Sequence, residues 1–181
     1  SELEELLKTH KKLVEDSVER VRDLLRENKR LIEESEKEIR KLLDELRELI
    51  ERIIELVERG ESEETIKEVV DRLRRTVERI EKRLRDSNRE LNDHVRRTNE
   101  ETKRLNEELN RAVKEIEDRI KDKEVLERLK KSNKEANDEH RRLNDENREL
   151  NERANRKHKE VEDRLKDLLR RAEEKLTEDA K

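Results

Sequence analysis

The chain has 181 residues, 56% of them charged and 28% apolar, with no aromatic residue, Cys, Met or Pro and a single Gly. The absence of cysteine excludes disulfides and thiolate metal sites, and without any run of about 18 apolar residues a membrane-spanning helix is excluded too. Basic and acidic residues number 49 and 53, for a net charge of −4, so there is neither the basic stripe nor the aromatics that nucleic-acid binding would use.

Such composition borders on disorder, and periodicity decides for helix. Two apolar positions in seven, about 28%, are enough for a slim helical seam. The charges interleave, as in EESEKEIRKLLDELRELIERI from Glu33 to Ile53, which sets opposite signs four residues apart on a solvated face. The first helix is predicted over about 2–59. It opens on a capping box formed by Ser1 and Glu4, and Gly60 supplies its stop. Its inward stripe runs Leu3, Leu7, His10, Val14, Ser17, Val21, Leu24, Asn28, Leu31, Ser35, Ile39, Leu42, Leu46, Leu49, Ile53, Leu56. No signal-peptide pattern is read at this end, so no targeting signal is expected.

The second helix is predicted over about 63–121, capped by Ser62 with acidic Glu63 and Glu64 in its first turn. Its stripe passes from Ile66 through Leu84 to Ser87 or Asn88, then Leu91, Val95, Thr98, Thr102, Leu105 and Leu109. The third helix is predicted over about 123–179 behind a cap at Asp122, with a stripe from Leu126 to Leu176. Each stripe contains a pair of consecutive four-residue steps, a stutter that relaxes supercoiling. Two connections of a few residues force antiparallel neighbours. The expected fold is all-α: one single-chain antiparallel three-helix bundle over residues 1–181, coiled-coil-like, with helices of about 58 residues and ~85 Å.

Asparagine supplies the polar pattern. It recurs as N-x3-N-x6-N-x6-N-x3-N at Asn88, Asn92, Asn99, Asn106 and Asn110, and again at Asn133, Asn137, Asn144, Asn151 and Asn155. Folding the chain at its second turn matches residues whose numbers sum to 243: Asn88 with Asn155, Asn92 with Asn151, Asn99 with Asn144, Asn106 with Asn137, Asn110 with Asn133. An amide both donates and accepts, so facing amides can satisfy each other, and a ladder of Asn–Asn contacts is expected. On the same folding His10 lies level with Asn110 and Asn133, Ser17 with Asn106 and His140, Asn28 with His94 and Asn151, and Ser35 with Ser87, Asn88 and His158. Asn147 adds a further inward amide. Such layers specify register more than they stabilise. Stability is expected from the apolar stretch Ile39–Leu84 completed by Val161–Leu176, so the opposite half should open first.

Three sharper functions fare worse. The four histidines fall at separate levels, about 10–16 Å apart at helical rise, too far to share a metal ion; no metal or cofactor is expected. No phosphate loop, nucleophile elbow or catalytic triad order appears, and the seam leaves no room for a substrate pocket; no enzyme is expected. A pH response through histidine is chemically feasible, since protonation turns a ring acceptor into a donor.

Near-ideal helices of equal length, caps at Ser1, Ser62 and Asp122, minimal turns and layered Asn/Ser/His groups resemble de novo designed helical bundles with buried hydrogen-bond networks. The resemblance covers the whole chain, although its asparagine density exceeds that pattern. It implies a structural scaffold with no natural substrate, whose polar networks encode pairing. No partner is then required. The second reading is an interaction module that associates with another copy, or with a designed helical partner, through the Asn-rich face.

Overall fold

A computed structural model describes the backbone over residues 2–179 and side chains over residues 2–176. Three helices follow one another: α1 Glu2–Glu58, α2 Glu63–Glu117 and α3 Lys123–Asp179. The capping box expected at Ser1 lies outside the described residues. Among the described residues, no helix is long and apolar enough to cross a membrane.

The first turn is made by glycine chemistry. Gly60 sits at φ +68°, where only a residue without Cβ is at ease. Its N–H donates to Val57 O and that of Glu61 to Leu56 O, both at 3.1 Å, the bond pair of a Schellman stop. Ser62 Oγ then accepts from Thr65 N at 3.3 Å and caps α2. At the second turn α2 ends at Glu117, four residues before the sequence-based limit of 121. Bonds tighten there to three-residue spacing, Arg119 N to Ile116 O and Ile120 N to Glu117 O. The tightening turns Ile120 into a cluster with Val113, Ile116 and Leu129, and burial of that side chain outweighs another turn of helix. Asp122 Oδ1 accepts from Glu124 N at 2.9 Å and caps α3.

The chain divides into two compact units, Ser1–Arg30 with Leu91–Asn151 and Leu31–Glu90 with Glu152–Lys181. Each contains a segment of all three helices. The second unit holds the main apolar core: Ile39, Leu43, Leu46, Ile50, Ile53, Leu73, Val77, Ile80, Leu84, Leu165 and Ala172. The first unit holds two smaller clusters, one around Val21, Leu25, Leu105 and Leu143, the other around Val113, Ile116, Ile120 and Leu129. Full burial of such side chains is worth about 1.5–3 kcal/mol each.

The stripe differs in detail from the sequence-based one. Leu43 and Ile50 are buried in the core, while Leu42 and Leu49 are only partly buried against it. Neighbouring positions of this doubled apolar face compete for the interior, and heptad spacing does not say which wins. The α2 stripe also continues past Leu109 through Val113 and Ile116.

Buried polar layers as the candidate functional site

Amid this thin apolar packing, the side chains of His10, Ser17, Asn28, Ser35, Thr76, Ser87, His94, Thr98, Thr102, Asn133, His140, Asn147 and His158 are buried. An unpaired buried polar group costs about 1–3 kcal/mol, so the question for each is where its hydrogen bonds go.

In the first unit His10 Nε2 meets Asn133 Oδ1 at 3.2 Å, and Asn133 Nδ2 donates onward to Asn110 Oδ1 at 2.9 Å. Farther along, His140 is held at both ring nitrogens, Nδ1 by Asn106 Oδ1 at 2.5 Å and Nε2 by Ser17 Oγ at 3.0 Å. A carbonyl oxygen only accepts, so Nδ1 carries a proton. The one hydrogen of Ser17 Oγ is donated to Val14 O at 2.9 Å. Thr98 and Thr102 donate to the carbonyls of His94 and Thr98, one turn back.

The second unit repeats this arrangement. His158 Nδ1 meets Asn88 Oδ1 at 2.5 Å and Nε2 meets Ser87 Oγ at 3.3 Å, while Ser35 Oγ donates to Ser87 Oγ at 2.7 Å. Ser17 and Ser35, His140 and His158, Asn106 and Asn88 are each 18 residues apart. So are His10 and Asn28, Asn133 and Asn151, Asn110 and Asn92. Eighteen residues make five full turns at 3.6 per turn, so the polar block recurs on the same helix face. That interval was readable from the polar spacing alone, and the 4-7-7-4 asparagine pattern masked it.

The pairs expected from the folding meet with mixed outcomes. Asn110 bonds Asn133, and Asn151 Nδ2 donates to Asn92 Oδ1 at 3.2 Å. Three expected amide pairs are replaced. Asn106 bonds His140 in place of Asn137, Asn88 bonds His158 in place of Asn155, and Asn144 Oδ1 lies 3.1 Å from Thr102 Oγ1 in place of Asn99. In each case the successful partner lies three residues beyond the expected one on the same helix, and deeper in the seam. A buried hydroxyl or imidazole has no water to turn to and takes the amide. Asn99 and Asn155, like Asn92 and Asn110, sit on the exposed flank, so the ladder is a mixed His/Thr/Asn seam. Asn137 Nδ2 reaches Asn110 Oδ1 at 3.5 Å.

The level expected to join Asn28 with His94 and Asn151 is also corrected. Asn28 Nδ2 donates to Asn147 Oδ1 at 2.5 Å, and His94 Nε2 donates to Leu24 O at 2.8 Å. The imidazole is long enough to reach the backbone of α1 one turn earlier, and the carbonyl fixes the proton on Nε2. Bonded pairs run in opposite order along α2 and α3 (Asn110 with Asn133, Asn92 with Asn151) and in the same order along α1 and α3 (His10 with Asn133, Asn28 with Asn147).

Electrostatics follow burial. Desolvation pushes the His140 imidazole below its ordinary value, against a smaller opposing pull from Glu139. His158 is lowered by the same cause, with Glu36 and Glu162 opposing and Arg83 assisting. Arg83 Nε lies 2.7 Å from Glu38 Oε2, close as a charge contact but out of line for a hydrogen bond. Elsewhere Arg–carboxylate pairs three or four residues apart cover the surface, as at Arg104 with Glu101 and Glu108. The Arg104 guanidinium holds Glu101 below the usual carboxylate range. Exposed pairs of this kind contribute little to stability. Among the described residues, no three His, Cys, Asp or Glu side chains group as a metal site.

Fold and side chains together define a class: an all-α three-helix bundle with hydrogen-bonded polar layers in its seam. No protein-family model and no curated protein matches the chain. Among solved structures it is similar to one described as a computationally designed three helix bundle, at 22% identity over 98% of this chain and 85% of that one, with a TM-score of 0.38.

Proposed function

We propose that the chain is a structural scaffold, without catalytic activity, whose buried polar layers set the register and pairing of its helices. The observation that carries this reading is that all four buried polar residues of α1 bond a side chain of another helix: His10 to Asn133, Ser17 to His140, Asn28 to Asn147 and Ser35 to Ser87. Sliding α1 by one residue would strand each of these groups against apolar or charged neighbours. The test replaces two layers with leucine (Ser17, Asn106 and His140; Ser35, Ser87, Asn88 and His158). The expected variant is more resistant to heat, because buried polar groups seldom add net stability, yet shows multiple amide resonances per residue from competing registers. A variant that keeps one resonance set and one mass would overturn the reading.

A second reading, association through the α2–α3 face, is favoured by one feature. A groove of about 340 Å³ is lined there by Asn99, Asn106, Asn110, Asn137 and Asn144 with Arg141 and Arg148. The half-exposed Asn137 keeps its buried Oδ1 without a bond among the described residues. Light scattering across a concentration series separates the readings: a constant single-chain mass favours the scaffold, a multiple favours the module. Proton uptake at the imidazoles would make such association pH-responsive.

A further inference from the structure

We infer that Asn28, Asn147 and Asn151 form a binding site for one internal water molecule. Asn28 is 0% and Asn147 2% exposed, and one side-chain bond joins them. A single bond between two amides uses one N–H and one oxygen. Asn28 Oδ1 and Asn147 Nδ2 therefore remain, both buried and without a bond among the described residues. Turning both amides by half a revolution exchanges their roles and again leaves one acceptor and one donor, so the remainder is independent of amide orientation. Asn151, one turn further along α3, donates to Asn92 and likewise keeps a buried Oδ1 without a bond.

One donor and two acceptors are the complement of water, which gives two hydrogens and accepts in return; buried waters typically make about three such bonds. A cation would meet the Asn147 NH2 group and an anion would meet two carbonyl oxygens, so a neutral molecule able to do both is selected. The composition of this layer explains why it differs from the others. Where a histidine or serine is present, a tautomer change or hydroxyl rotation adapts the circuit. Here every member is an amide with fixed donors and acceptors, because His94 bonds the Leu24 carbonyl instead.

The site depends on where Asn28 and Asn147 are placed, not on the register role proposed above. The test is a water-selective rotating-frame Overhauser experiment on the 15N-labelled full chain, read at the Asn147 side-chain NH2. A cross-peak with the sign of dipolar transfer from a long-lived water is expected, and its loss in Asn28→Leu, which removes one acceptor. No such peak in the unsubstituted chain, or its persistence in the variant, overturns the site. A high-resolution crystal structure reads it independently: ordered density bonded to all three amides supports it, and both free groups on protein atoms overturns it. The leucine layers above alter other residues, so either proposal can fail alone.

Discussion

At His140 both ring nitrogens are engaged, one by a carbonyl oxygen and one by a hydroxyl. A second ring proton would place a charge in a desolvated seam. His158 faces the same cost beside Ser87, moderated by Glu36 and Glu162 and increased by Arg83. Burial lowers both imidazoles below their ordinary value of about 6.5, so the unfolded chain binds protons more readily than the folded one. Stability is then complete above about pH 6.5 and falls as pH drops from there toward the lowered values. Urea melts at pH 7.5 and 5 should show a lower midpoint at the acid end, and the double substitution His140→Gln, His158→Gln should shrink the difference. Glu101 is also lowered in the fold, from 4.5, and its contribution is lost only at more acid pH, which separates the two effects. The apolar residues act more simply. Leu46 and Ile80 are 0% exposed in the main core, so Leu46→Ala or Ile80→Ala should each cost about 2–5 kcal/mol in chemical denaturation.

Helix limits are governed by a few residues at the turns, and those were the most legible part of the sequence. Gly60, Ser62 and Asp122 announce themselves by type, because a left-handed stop and a side-chain acceptor need those residues. A Cβ at Gly60 would meet nothing within 4 Å, so Gly60→Ala is penalised by its positive φ alone, about 1 kcal/mol. Ser62→Ala, which removes the acceptor from Thr65 N, should cost about 0.5–2 kcal/mol; thermal melts of the two variants and their combination check both values. Less legible was the choice of partner within the seam. Folding the chain gives the level of each residue but not its depth, and three residues along a helix move a side chain from flank to interior. That is why His140 displaces Asn137 and His158 displaces Asn155 as partners of Asn106 and Asn88. The α2 limit escaped for a related reason: Ile120 reads as another helical position, and only its neighbours Val113, Ile116 and Leu129 reveal that it is pulled inward.

Over the molecule, apolar and polar packing are unequally shared. The unit built from Leu31–Glu90 and Glu152–Lys181 contains the large core, and the one built from Ser1–Arg30 and Leu91–Asn151 relies on two small clusters with the His10, His140 and Asn28 layers between and beside them. Opening free energy follows buried apolar contact. Native-state hydrogen exchange should therefore find the amides of Val21, Leu105 and Leu143 released by a lower-energy opening than those of Leu46, Ile53 and Ile80.

The five-turn recurrence of the polar block carries a hazard as well as a pattern. Displacing one helix by 18 residues would lay its second set of amides and imidazoles against the first set of its neighbours, a decoy that satisfies much of the same chemistry about 27 Å out of place. The turns forbid it, since the four residues between α1 and α2 reach at most about 14 Å when fully stretched. Loop brevity is thus a proofreading element. Cut or lengthen either connection, and the helices gain a wrong answer that their side chains alone are poorly equipped to refuse.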